Sequence, residues 1–187
     1  MFIRTTLLLL ITLLAAPLSY AGQDIPLRLG AGRSYQYHDP ARSYARTEDN
    51  WLAATSISLE AVVHHHLMAR AYLYRLSGES GIQGWGQELQ LLTGFGLNQS
   101  GWRIYGGPAL FRELRHDQNA IHDRNQLFTG LGINLGTAWQ WQRWSADFST
   151  TFRANDDYVD YYEDSNISLS KEEVWVINTY FSISYQL

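Results

Sequence analysis

The sequence contains no cysteine. That excludes disulfides, and it excludes a lipoprotein, whose lipid is carried on a cysteine. Basic residues are not in excess: 14 Lys and Arg stand against 18 Asp and Glu, a net charge of −4. A mildly acidic chain lacks the electrostatic footprint of a nucleic-acid-binding protein. Beyond the first 21 residues there is no apolar run long enough to span a bilayer as a helix. A polar tail is missing too. The sequence closes on "VWVINTYFSISYQL", where Trp175, Ile177, Thr179, Phe181, Ile183, Tyr185 and Leu187 alternate with mostly polar residues. A period of two marks a strand. An unpaired terminal strand is an aggregation template, so this one is expected to be paired on both sides.

The N-terminus has a different character. Arg4 precedes an apolar run from Leu7 to about Ala16, and Ser19 and Ala21 form a small-x-small site. The pattern predicts a secretory signal peptide over residues 1–21. Its apolar core is too short for a comfortable membrane helix. Removing it from the 187 residues leaves 166, a single domain over 22–187, with the net charge moved to −5 by the loss of Arg4. Aromatics are abundant, with 7 Trp, 12 Tyr and 7 Phe. An exported chain rich in aromatics, without a spanning helix, points to an all-β fold: an eight-stranded antiparallel transmembrane β-barrel.

Alternation predicts the strands individually. They run over Ile25–Tyr37, Trp51–Val62, Leu67–Leu76, Trp85–Leu97, Trp102–Glu113, Gln126–Trp139, Trp144–Ala154 and the terminal run. The fifth is the least regular, because Gly106-Gly107-Pro108 is expected to bulge or kink it. Short connections (63–66, 98–101, 140–143) alternate with longer ones (38–50, 77–84, 114–125, 155–174). Outer-membrane barrels place short turns in the periplasm and long loops outside. All seven Trp lie at strand ends: Trp102, Trp139, Trp141 and Trp144 by the short turns, and Trp51, Trp85 and Trp175 by the long loops. Indole rings prefer the headgroup level of a bilayer.

The segments "GWRIYGGPALFREL", "LFTGLGINLG", "WQRWSADFSTTFR" and "YFSISYQL" resemble small bacterial outer-membrane proteins of the OmpA/OmpX/Ail type. The likeness covers the mature chain as architecture and specific motifs from about residue 101 onward. It implies residence in the bacterial outer membrane, among its lipid and lipopolysaccharide. It also implies that Phe181, Ile183, Tyr185 and Leu187 are read by the barrel-insertion machinery. Such signals usually end in Phe or Trp; this one ends in Leu187.

Three groups of residues bear on function. By parity, Arg28, Glu60, Arg70, Glu88, Arg103 and Asp147 point into the lumen. Buried charges must pair, which predicts an ion-pair network filling the barrel. His64, His65 and His66 are adjacent, but neighbours on a strand point to opposite faces, so a polar turn is expected and no metal site. The longest loop carries Asp156, Asp157, Tyr158, Asp160, Tyr161, Tyr162, Glu163 and Asp164, a candidate binding surface whose spacing matches no EF-hand. No cofactor is expected.

An enzyme acting on lipid A by acyl hydrolysis or transfer is the alternative. It needs a Ser nucleophile and a His base at the outer rim. His38, Ser43, Ser77, Ser80, His116 and His122 are there by prediction, but no His-x-Ser pair and no palmitoyltransferase pattern occurs. The expected role is therefore non-catalytic: structure, surface contact or adhesion through the loops.

Overall fold

The computed structural model describes residues 25–40, 51–77, 82–117, 124–154 and 174–187. Among them are eight strands: β1 (Leu27–Pro40), β2 (Trp51–His64), β3 (Leu67–Ser77), β4 (Ile82–Phe95), β5 (Gly101–Asp117), β6 (Arg124–Trp141), β7 (Trp144–Ala154) and β8 (Val174–Gln186). Each pairs antiparallel with its neighbours, and β8 pairs with β1 to close a barrel. The terminal strand thus has partners on both edges, β7 and β1. Beyond the last ladder pair, the Leu187 amide donates to the Leu27 carbonyl at 2.9 Å.

The ladders fix the geometry. Paired residues followed round the barrel from Arg28 run through Glu60, Arg70, Gln90, Ala109, Gly132, Arg153 and Val176. The path returns to β1 at His38, ten residues above its start. Eight strands with that stagger must tilt by roughly 35–45° from the barrel axis, and a barrel of this size has an interior that side chains fill.

Two expectations for the strands are corrected. β5 keeps one register with β6 from Gly101 to Asp117, so Gly106-Gly107-Pro108 makes no bulge. Pro108 has no N–H to give, and the β4–β5 ladder simply leaves Leu91 and Leu92 without partners opposite Pro108 and Gly107. A Cβ on Gly107 would collide with the Leu91 carbonyl, so glycine permits this close approach. The register shift lies instead in β2, between Val62 and His64, where the strand enters its turn. The fourth strand, expected to reach Leu97, ends at Phe95, and Leu97 beyond it is fully buried. It belongs to an apolar cluster with Val62, Met68, Leu92, Tyr105 and Ala138 near the short-turn end.

The outer face is apolar. Leu131 is 67% exposed and Ile133 62%, and Leu29, Ile57, Leu91, Ile104, Leu135, Phe181 and Ile183 are similarly bare. In water such a surface is an aggregation liability; in lipid it is the buried one. Aromatic pairs edge this belt. Trp102 meets Trp139 at 5.2 Å and Trp144 meets Tyr185 at 5.0 Å beside the short turns. At the other end Tyr37 meets Trp51 at 4.7 Å. The side chain of Trp175 lies outside the described residues.

Candidate functional site

The inner face carries the charge. Every described carboxylate on the strands, namely Glu60, Glu88, Glu113 and Asp147, is buried in the lumen. Together with the inward arginines they form two tiers.

The tier nearer the short turns is centred on Glu60. Its Oε1 accepts from Arg28 Nη1 at 2.7 Å and from Arg103 Nη1 at 2.6 Å. Its Oε2 accepts from Arg70 through Nη2 at 2.7 Å and Nε at 2.9 Å. Asp147 takes the other edge of Arg70 at 2.8 Å and the Tyr105 hydroxyl at 2.6 Å. Three arginines thus face two carboxylates. Neutral oxygens take further donors, the Leu97 carbonyl and Gln140 for Arg28 and Ser145 for Arg103, while the Nε of each of these two arginines is buried without a hydrogen bond. The ladder explains the grouping, since Arg28, Glu60 and Arg70 occupy one paired row across β1, β2 and β3.

The second tier lies toward the opposite end. Arg153 spans Glu88, with Nη2 at 2.5 Å, and Glu113, with Nη1 at 3.1 Å. Glu88 also accepts from Thr151 at 2.6 Å, Gln90 at 2.6 Å and Tyr180 at 3.0 Å. Glu113 accepts from the Tyr74 hydroxyl at 2.7 Å and from Gln36 at 3.2 Å, and pairs with Arg115. The guanidinium of Arg153 lies over the Phe111 ring at 4.6 Å. Between the tiers Tyr72 stacks on Tyr180 at 4.2 Å with an 11° interplanar angle. Arg70 donates to Tyr72 and Tyr180 donates to Glu88, so the stack joins one tier to the other.

The six lumen residues read from the sequence divide between these tiers. Arg28, Glu60, Arg70, Arg103 and Asp147 come together in the first, while Glu88 stands in the second. Sequence reasoning missed Glu113, Arg115 and Arg153. The signal was available: Arg153 shares parity with Asp147 on β7, and Glu113 and Arg115 share parity with Arg103 on β5. The fifth strand was expected to end at Glu113, which put Arg115 in the 114–125 loop, and a bulge at Gly106-Gly107-Pro108 would have reversed the face of Glu113 relative to Arg103.

The remaining candidates are placed as follows. His65 and His66 form the β2–β3 turn, and His66 Nδ1 donates to the Gly94 carbonyl at 2.9 Å. The His64 ring is 5.1 Å from His65 and 6.3 Å from His66, and among the described residues no group of His, Asp or Glu is disposed to hold a metal. Ser77 and His116 share one outer row with Gln83 between them. Two strand spacings separate them, roughly 10 Å between backbones. Ser43, Ser80, His122 and the side chain of His38 lie outside the described residues, as do Asp156, Asp157, Tyr158, Asp160, Tyr161, Tyr162, Glu163 and Asp164. Phe181 and Ile183 face outward in the apolar belt, with Phe181 against Phe148 at 4.8 Å; Tyr185 and Leu187 continue their face.

A closed eight-stranded barrel with an apolar exterior and a charged, filled interior defines the class: a membrane-spanning barrel of the bacterial outer-membrane type. Comparison with solved structures gives the same fold. The chain is similar to the N-terminal β-barrel domain of Pseudomonas aeruginosa OprF (13% identity, TM-score 0.60, 89% of this chain and 100% of that one). It is similar to Neisserial surface protein A (12%, 0.60, 86% and 97%) and to the attachment invasion locus protein Ail of Yersinia pestis (11%, 0.52, 88% and 100%). At these identities the likeness is one of fold, the fold of the OmpA/OmpX/Ail type. No protein-family model matches the sequence, and no curated protein matches it.

Proposed function

We propose that this barrel has a non-catalytic role in the outer membrane, giving structure to the envelope and making surface contacts through the segments that join its strands at the end away from the short turns. The supporting observation is the two-tier network. Its bridging side chains, Arg70 and Arg153, reach across the lumen and leave the interior occupied by their partners. The outer wall faces lipid. The surfaces left for a partner are then the rims, and binding residues concentrate on loops held by a rigid scaffold. The acidic, tyrosine-bearing stretch Asp156–Asp164 is the proposed contact surface. Its barrel sits among lipopolysaccharide and reaches the membrane through the insertion machinery, read from Phe181, Ile183, Tyr185 and Leu187.

The test is the mass profile of lipid A from cells with and without the protein. An unchanged profile, with cell-surface binding lost when residues 155–173 are replaced by a short Gly-Ser turn, supports the reading. A shift by one acyl chain overturns it in favour of a lipid A-modifying enzyme.

A further inference from the structure

The exterior of the barrel has a charge pattern that its acidic composition conceals. Among outward-facing strand side chains that are described, there is no Asp and no Glu, yet Arg33, Arg75 and Arg112 are all exposed. All four described strand carboxylates point the other way, into the lumen. Inside, each arginine meets an acid; outside, no described acid is paired with any of the three.

The three arginines are grouped. Arg33 pairs with Thr55, Thr55 with Arg75, and Arg75 with Trp85, so two arginines share one ladder row. One strand, β2, lies between them, and two strand spacings put their backbones roughly 10 Å apart. Arg112 lies opposite Gln87 on β4, which sits two residues below Trp85. The set occupies β1, β3 and β5, the strands that climb from the short-turn end, and lies beyond the strand midpoints of β3 and β5. Arg75 places its guanidinium 5.5 Å from the Trp85 ring, an indole of the aromatic edge at that end. An indole marks the headgroup level, and arginine stems laid along apolar wall carry their charge toward it. Arg33 is the deepest of the three, level in the ladder with Phe181 on β8. A charge there is costly in lipid, a cost that falls as its stem carries the guanidinium toward the headgroups.

We propose that Arg33, Arg75 and Arg112 form a contact surface for the headgroup phosphates of the outer leaflet's phosphorylated glycolipid, lipid A. The proposal rests on the outer-membrane reading above, because it takes the end away from the short turns to be the outer one. Guanidinium is the side chain suited to phosphate, binding it through paired N–H donors. Among the described residues no outward carboxylate stands beside these arginines to repel an anionic ligand.

The experiment uses the full-length barrel in detergent, titrated with bisphosphorylated lipid A, with its dephosphorylated counterpart or with phosphatidylglycerol, and counts bound lipid by native mass spectrometry. Wild type is expected to bind the bisphosphorylated form roughly tenfold more tightly than the dephosphorylated one, an order set by a few charge-assisted contacts. In R33Q/R75Q/R112Q that preference is expected to fall to about twofold or less, while R33K/R75K/R112K keeps most of it. Heat-modifiable gel mobility verifies that each variant is a folded barrel. No phosphate preference in wild type overturns the proposal. So does a preference the glutamine variant retains, or equal binding of phosphatidylglycerol and bisphosphorylated lipid A. Failure of the outer-membrane reading shows separately, as loss of the protein from the outer-membrane band of a sucrose gradient.

Discussion

Glu60 gathers three guanidinium groups on its two oxygens. Removing one partner of a buried ion pair leaves uncompensated charge, at roughly 3–5 kcal/mol. Glu60→Gln leaves Arg28 without a carboxylate and Arg70 and Arg103 with Asp147 alone, and is expected to fall at or above that range in urea unfolding followed by gel mobility. Asp147→Asn is expected to cost less. Only Arg70 is close to Asp147, at 2.8 Å, whereas Arg103 stands at 3.7 Å and keeps Glu60 and Ser145. An Asp147→Asn variant less stable than Glu60→Gln contradicts this ordering. Tyr105→Phe removes one hydroxyl from Asp147 and is expected to cost about 1.5–3 kcal/mol, the range for a bond to a charged group. At this scale the sequence was legible through parity alone. Arg28, Glu60 and Arg70 stand on strands with strict alternation and could be placed inside by counting. Which of the inward charges pair could not be read, because pairing depends on which strands the stagger brings level, and that is a property of the closed ladder.

Two strands owe their fit to a glycine beside a tyrosine. Gly86 pairs with Tyr74, and a Cβ there would enter the Tyr74 ring. Gly136 pairs with Tyr105, and a Cβ would meet that ring at 2.5 Å. In each case the ring lies across the bare backbone of the next strand and carries its hydroxyl to a carboxylate, Glu113 for Tyr74 and Asp147 for Tyr105. A glycine that weakens a strand in isolation is covered here by a neighbour's aromatic ring. Gly86→Ala is expected to destabilise by roughly 1–3 kcal/mol, the cost of overpacking. In a Tyr74→Ala background the added methyl should cost about 0.5 kcal/mol or less, because the ring it strikes is gone. A fully additive double-mutant cycle defeats the argument. The glycine-rich strands were visible as strands in the sequence, but the purpose of each glycine was not. Gly106-Gly107-Pro108 invited a bulge, since glycine and proline commonly mark one. The chain instead uses Gly107 for close approach and lets Pro108 fall where the ladder opens.

The whole molecule joins an oily exterior to an interior crossed by two tiers of paired charge, and the ten-residue stagger sets the bore. A wider bore would leave a water channel; this one brings Arg70 within reach of both Glu60 on β2 and Asp147 on β7. Arg153 on β7 likewise meets Glu88 on β4 and Glu113 on β5. Two such crossings at different levels obstruct the lumen twice. Opening either means separating a buried guanidinium from its carboxylates, a step of several kcal/mol for which a neutral solute offers no compensation. Vesicles carrying the barrel are therefore expected to swell in arabinose or sucrose no faster than protein-free vesicles of the same lipid. Arabinose uptake above that baseline, at protein levels verified by heat-modifiable mobility, would mean that the crossings part in the membrane. The surfaces proposed for contact would then have to include the lumen. With uptake at baseline, the interior serves to hold the wall, and specificity is left to the rims and to the arginines that face the lipid.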